Sequence, residues 1–270
     1  LPFTVAKNEA QSVRYTTVKL VDDLGVVSET ILITQKAGIS KTLHIATAGT
    51  LDTLISSNEK GFVEELTLTG NLNTFDFDFI RTMSNLKLLD ISGTTNTSLP
   101  AGCFMNSTIS TVLLPLELKS IPNRAFYQSK ITSLYIPEGV QTIGDYAFYQ
   151  CKKVKGDLII PDATTSVGNY CFQESSFNGK LKLGNKLSSI GEYAFNGCRS
   201  LTSIYCKPTN PPTIDYNAFP ENSGMKIYVP YTSGMYLKSW KSYIDYIVGY
   251  DFNKDEIVEI HPYDEIWYTT

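Results

Sequence analysis

Short runs in which apolar and polar residues alternate recur along most of the chain. Apolar-x-apolar triplets stand at Leu66–Leu68, Leu89–Ile91, Val112–Leu114, Leu134–Ile136, Leu158–Ile160, Leu181–Leu183, Ile204–Cys206 and Ile227–Val229, with starts 22 to 24 residues apart. Each predicts one short strand whose outer residues point to one side and whose middle residue points to the other. A proline closes several of them (Pro115, Pro137, Pro161, Pro230) and removes a backbone donor where the strand must end. A second register runs in step: a small residue followed by Phe at Cys103-Phe104, Ala125-Phe126, Ala147-Phe148, Cys171-Phe172, Ala194-Phe195 and Ala218-Phe219. Five positions before the Phe stands an aliphatic residue, Ile121, Ile143, Val167, Ile190 or Ile214. Gly144, Gly168 and Gly191 follow three of these, where a turn with unusual backbone angles is expected.

No single unit of this size can bury its apolar residues, whereas stacked neighbours can. The spacing therefore predicts an α/β repeat solenoid with one short parallel strand per repeat of 22–24 residues. At about 4.8 Å per strand, eight strands make one ladder some 34 Å long. The pattern L-x-x-I-x-I-P…I-G-x-x-A-F-x-x-C, plainest in 131–151, resembles the BspA-like class of leucine-rich repeats over roughly residues 40–250. The resemblance implies a surface or secreted protein of anaerobic gut or oral bacteria, with adhesion or host interaction as its wider role. Val167 and Cys171, and Gly184 where proline is usual, depart from the pattern.

The ends differ from the middle. Residues 39–94 lack the Phe motif; helices are expected near Leu51–Ser57 and Asp78–Met83, forming an N-terminal cap with the first repeats. Residues 95–230 hold the BspA-like repeats, and 231–270 form a C-terminal cap and an acidic, aromatic tail. In that cap Tyr236, Trp240, Tyr243 and Tyr246 recur at helical spacing, as in a helix laid over the last strand; a carbohydrate platform uses similar aromatics. In residues 1–38, VRYTTVKLVDD and VVSETILITQ flank a turn at Asp23-Leu24-Gly25, which predicts a β-hairpin. Its second half resembles the last strand of a bacterial BACON-type, immunoglobulin-like domain, of which about a third would be present. That length implies truncation here, since an isolated hairpin is marginal in water.

Composition narrows the chemistry. The 23 basic and 27 acidic residues give a net charge of −4, with no dense Lys/Arg run, which argues against a nucleic-acid partner. No apolar run approaches a membrane span, and no charged, apolar-cored leader opens the chain at Leu1. The five cysteines form no C-x-x-C pair, and the histidines are only His44 and His261, so no metal site is expected. Cys103 and Cys171 occupy the small slot beside Phe, and Cys151 and Cys198 follow Phe by three residues; Cys206 completes the set as a further buried hydrophobe. Asp251-x-Asn253-x-Asp255 opens like a calcium loop, but Glu256 and Pro262 stand where that loop needs glycine and a carboxylate. No phosphate loop, nucleophile elbow or zinc-protease helix occurs, so neither an enzyme nor a cofactor is expected.

Binding is expected on the sheet. The outward middle column runs Thr67, Asp90, Leu113, Tyr135, Ile159, Lys182, Tyr205 and Tyr228, and its later part, Tyr135, Ile159, Lys182, Tyr205 and Tyr228, is the candidate site. β-propensity alone also places Tyr and Ile on a sheet face. The expectation is a non-catalytic, monomeric protein, secreted or at the cell surface, that binds an extracellular protein or glycan through this face. Its alternatives are a structural spacer that displays an N-terminal module and an accessory module of a polysaccharide-utilisation system.

Overall fold

In the computed structural model, residues 14–21 and 27–35 are described as backbone strands, and residues 38–215, 217–220 and 224–258 in full. The expected turn at Asp23-Leu24-Gly25, and His261 with the rest of the tail from 259, lie outside the described residues. Strand β1 (Arg14–Val21) pairs antiparallel with β2 (Val27–Gln35), with an irregularity between Leu20 and Val21.

The solenoid begins with β3 (Ile39–Ile45), α1 (Leu51–Leu54), β4 (Val63–Gly70), α2 (Thr74–Arg81), β5 (Leu88–Thr94) and β6 (Thr111–Leu113). The four strands form a parallel sheet in sequence order. The ladder thus starts one strand before the first triplet, because Leu43 and Ile45 in β3 supply the same inward pair. Helix α1 is shorter than expected, and α2 begins four residues earlier, at a capping box. There the Asn73 side chain accepts from the Phe75 amide at 2.9 Å, and Asp76 accepts from the Asn73 amide at 3.0 Å. The buried Asp76 carboxylate also accepts the amides of Gly49 at 2.6 Å and Leu51 at 3.0 Å, so one side chain ties the starts of both helices together.

Each following repeat carries two strand positions, not one. The chain continues through β7 (Ser120–Ile121), β8 (Thr142–Ile143), β9 (Leu158–Ile159), β10 (Ser166–Val167), β11 (Lys180–Leu183), β12 (Ser189–Ile190), β13 (Ser203–Cys206), β14 (Thr213–Ile214), β15 (Lys226–Pro230), α3 (Met235–Ser239), β16 (Ile247–Asp251) and β17 (Glu256–Ile257). Strands β7, β8, β10, β12 and β14 form a second parallel ladder, and it is built from the aliphatic residues five before each Phe: Ile121, Ile143, Val167, Ile190 and Ile214 lie in register. The triplet strands do not make the expected single ladder. Residues 134–136 form no strand, which leaves β3–β6 as one sheet and β9, β11, β13, β15, β16 and β17 as another. The inward residues still pack there, with Ile136 buried and Leu134 half-buried, but the coil length steps from 22 to 24 residues on either side of Leu134 and the hydrogen bonds are lost.

The glycines after the aliphatic column answer to contact, not to backbone angle. Gly144, Gly168 and Gly191 have no positive φ; a Cβ on Gly168 would lie 2.6 Å from the Asp145 amide nitrogen, and one on Gly191 2.6 Å from that of Asn169. Neighbouring coils touch at this point, and the touching residues form an amide ladder. Asn123 Oδ1 accepts from the Asp145 amide at 2.9 Å, Asp145 from Asn169 at 2.7 Å, and Asn169 from Glu192 at 2.9 Å. Positive φ falls instead two residues before and after the Phe, at Arg124, Tyr146, Tyr170 and Tyr193 and at Asn106, Gln128, Gln150 and Glu174.

The core is an aromatic file through the solenoid. Phe104, Phe126, Phe148, Phe172, Phe195 and Phe219 follow one another at centroid distances of 4.9, 5.1, 5.0, 5.3 and 5.8 Å, all essentially buried. Phe77 of α2 closes one end at 5.8 Å and Trp240 the other at 5.4 Å. Of the C-terminal aromatics, Tyr236 and Trp240 are buried, and they donate to the Pro208 carbonyl at 2.6 Å and the Pro212 carbonyl at 2.9 Å. The helix is interrupted at Trp240, so Tyr243 and Tyr246 lie on a 3-10 turn at 241–246.

Candidate binding face

The register of the second sheet brings four of the five expected site residues side by side. Ile159 of β9 pairs with Lys182 of β11, Lys182 with Tyr205 of β13, and Tyr205 with Tyr228 of β15. Tyr135 occupies the same column one repeat earlier, exposed by 58% but on no strand, so no ladder bond holds it to Ile159. Its neighbour on the other side is Leu113 at the end of β6.

Local contacts divide the column in two. Tyr205 and Tyr228 stack at 4.6 Å, and the Lys180 ammonium sits 5.2 Å from the Tyr205 ring centre. Tyr250 of β16 meets both rings edge-on, at 5.4 and 5.3 Å, and Phe252 lies 5.0 Å beyond it. The Tyr250 hydroxyl donates to Asp255, and that bond, with burial, holds its pKa up to about 12. Lys182 stands 3.8 Å from Asp157, which offsets its charge. The tyrosine half is thus occupied with itself. The other half is open: Leu113 is 42% exposed, Tyr135 58% and Ile159 51%, at the same position of three consecutive repeats.

Sequence reasoning missed Tyr250 and Phe252, because β16 follows a helix and carries Val248 at the middle position; the aromatic stands two residues later on the same side of the strand. It also missed an aromatic file on the segments that carry the Phe residues. Tyr127 stacks on Tyr149 at 4.9 Å, Tyr146 on Tyr170 at 4.9 Å and Tyr170 on Tyr193 at 5.2 Å. The signal was present as a tyrosine two residues before Phe148, Phe172 and Phe195.

The other sequence candidates have structural roles. Asp251 accepts from the amides of Asn253 at 2.9 Å and Lys254 at 3.3 Å and so closes the turn between β16 and β17. His44 Nδ1 lies 2.9 Å from the Thr69 hydroxyl on adjacent strands. All five thiols are free and buried. Burial pushes Cys103, Cys198 and Cys206 up to about 12 and Cys151 to about 11, and it raises Cys171 well above its ordinary value. Among the described residues no three metal-ligating side chains come together, and no helix is long and apolar enough to cross a membrane.

The chain thus combines parallel strands in register, a coil repeat of 22–24 residues and a file of Phe rings. The model of the BspA type leucine rich repeat region matches in six copies over residues 58–129 and 119–234. The chain belongs to this family. Solved structures similar to this BspA-type repeat chain include a leucine rich repeat protein of T. pallidum, 14% identical with a TM-score of 0.34, over 83% of this chain and 86% of that one. A leucine-rich repeat protein from Bacteroides ovatus is 15% identical with a TM-score of 0.30, over 85% and 71% of the two chains. A leucine rich cell surface protein from Faecalibacterium prausnitzii is 16% identical with a TM-score of 0.27, over 74% and 77%. No curated protein matches the sequence.

Proposed function

We propose that this BspA-type repeat chain is a non-catalytic binding protein, secreted or at the cell surface, that engages an extracellular protein through the column Leu113, Tyr135, Ile159, Lys182, Tyr205 and Tyr228. The observation that carries the reading is the open half of the column, three large apolar side chains exposed by 42%, 58% and 51% on consecutive repeats. Clustered apolar exposure of this kind marks interfaces on soluble proteins, whereas single exposed residues do not. A protein suits the face better than a glycan. Sugars stack on free ring faces, and Tyr205 has Tyr228 stacked on it and the Lys180 ammonium over its ring. The cell-surface name of the Faecalibacterium relative is consistent with such a location. We assign residues 39–94 to the N-terminal cap and first repeats, 95–230 to the repeats proper, and 1–38 to a segment that resembles the end of a BACON-type domain.

The test is a screen of the purified chain against arrays of extracellular-matrix proteins, mucins and glycans, beside a Tyr135→Ser/Ile159→Ser variant. Both residues are exposed, so the variant should fold as the parent does. A protein ligand whose binding is lost in the variant is the expected result. Protein binding that the variant retains, or the absence of any protein ligand, overturns the reading, and no binding at all leaves the structural spacer in its place.

A further inference from the structure

A second site lies away from the sheet face. Where the chain leaves β4 and β5, the segments 71–74 and 95–100 enclose an open cleft of about 640 Å³. This lies within the roughly 300–1,000 Å³ typical of small-molecule sites. Its walls are amides, hydroxyls and a little aliphatic surface, and no charged side chain lines it.

Part of this polar surface is already committed. Asn96, buried, accepts from the Leu72 amide at 3.0 Å and donates to the Leu72 carbonyl at 2.8 Å, which fixes the cleft floor. Asn73 and Asp76 cap α2, so the positive end of that helix already faces a carboxylate and has little left to offer an anion. The side chains of Asn71, Thr74, Thr97 and Ser98 take part in no hydrogen bond within the described structure, and all four are exposed at the cleft. They supply one amide and three hydroxyls, each able both to donate and to accept. Phe75, next to Thr74 in sequence and 75% exposed, does not line the cleft.

We infer that this cleft binds a neutral saccharide. Uncharged groups that both donate and accept hydrogen bonds match the hydroxyls of a neutral sugar. A phosphate, sulfate or uronic acid would find no cation in the lining and Asp76 behind it. The site is independent of the sheet-face reading, since Leu113, Tyr135 and Ile159 are not among its residues.

The experiment is calorimetric titration of the full chain with neutral hexose and N-acetylhexosamine oligosaccharides, and in parallel with sulfated and uronic-acid oligosaccharides. The variants are Asn71→Ala, Thr97→Ala and Ser98→Ala, all at exposed positions of the cleft, with Tyr135→Ser/Ile159→Ser as the control. Saturable binding of a neutral oligosaccharide is expected, weakened about threefold to tenfold by each cleft substitution and unchanged in the control. Three results would each overturn the inference: no saturable binding of any neutral sugar, preference for the acidic set, or neutral-sugar binding that survives all three cleft variants.

Discussion

Three residues after Phe104, Phe126, Phe148, Phe172 and Phe195 stand Ser107, Ser129, Cys151, Ser175 and Cys198, and the choice of hydroxyl or thiol has a physical basis. Cys151 Sγ donates to the Phe126 carbonyl at 3.2 Å, Ser175 Oγ to the Phe148 carbonyl at 2.6 Å and Cys198 Sγ to the Phe172 carbonyl at 3.0 Å. The position needs a small side chain with one donor aimed at the previous coil. Cys151→Ser should therefore change stability by less than about 1 kcal/mol, while Cys151→Ala, which removes the donor and opens a small void, should cost about 1–2 kcal/mol in chemical denaturation. The same burial sets a pH dependence. In the unfolded chain the thiols titrate near 9, but in the folded one Cys151 holds its proton to about 11 and Cys103, Cys198 and Cys206 to about 12. Between those values the folded state keeps protons that the unfolded state loses, so rising pH favours unfolding. Thermal midpoints should be level from about pH 7 to about pH 8 and fall from about pH 9 upward, and a disulfide-exchange reagent at about pH 8 should label none of the five thiols until the protein unfolds.

At the level of elements, the coils touch through Gly144, Gly168 and Gly191. Gly168→Ala would in open space stabilise slightly by stiffening the unfolded chain, but here the new Cβ meets backbone at 2.6 Å, so a loss of about 1–3 kcal/mol is expected. Gly156, with nothing within 4 Å of its would-be Cβ but a φ of +89°, separates contact from conformation in the same experiment. The sequence pattern carried the inward residues faithfully, because burial depends on side-chain period alone: Leu134 and Ile136 face the core even where no strand forms. It did not carry the hydrogen bonds, which depend on the spacing between coils. The amides of Leu134 and Ile136 have no backbone acceptor, whereas Leu181 and Ile204 lie in paired strands, so the first two should exchange with solvent much faster than the last two. The second ladder was visible only as a column of aliphatic residues, since strands of two residues are too short to show alternation. The later half of the candidate site was legible as tyrosines, but its closure by Tyr250 and Phe252 depends on a strand that returns after a helix, which no periodic pattern marks.

For the whole molecule, continuity comes from the interior and not from the binding face. The triplet sheet is broken at 134–136, yet the second ladder runs unbroken from Ile121 to Ile214, and the Phe file spans from Phe77 to Trp240. Phe148 sits next to the break, between Phe126 at 5.1 Å and Phe172 at 5.0 Å, so it is one of the groups that join the two sheets. Trp240 instead closes the last coil over Phe219. Truncating either to Ala should cost about 3–5 kcal/mol, but the losses should be distributed differently, because a repeat is coupled only to its neighbours. Trp240→Ala should strip hydrogen-exchange protection from Ile227–Val229 and leave Leu66–Leu68 as protected as before. Phe148→Ala should split a single denaturation transition into two, one for the coils before the break and one for those after it. A single, uniformly lowered transition in the Phe148 variant would mean that the second ladder alone suffices to join the halves. In that case the aromatic file would fill the core without carrying its cooperativity.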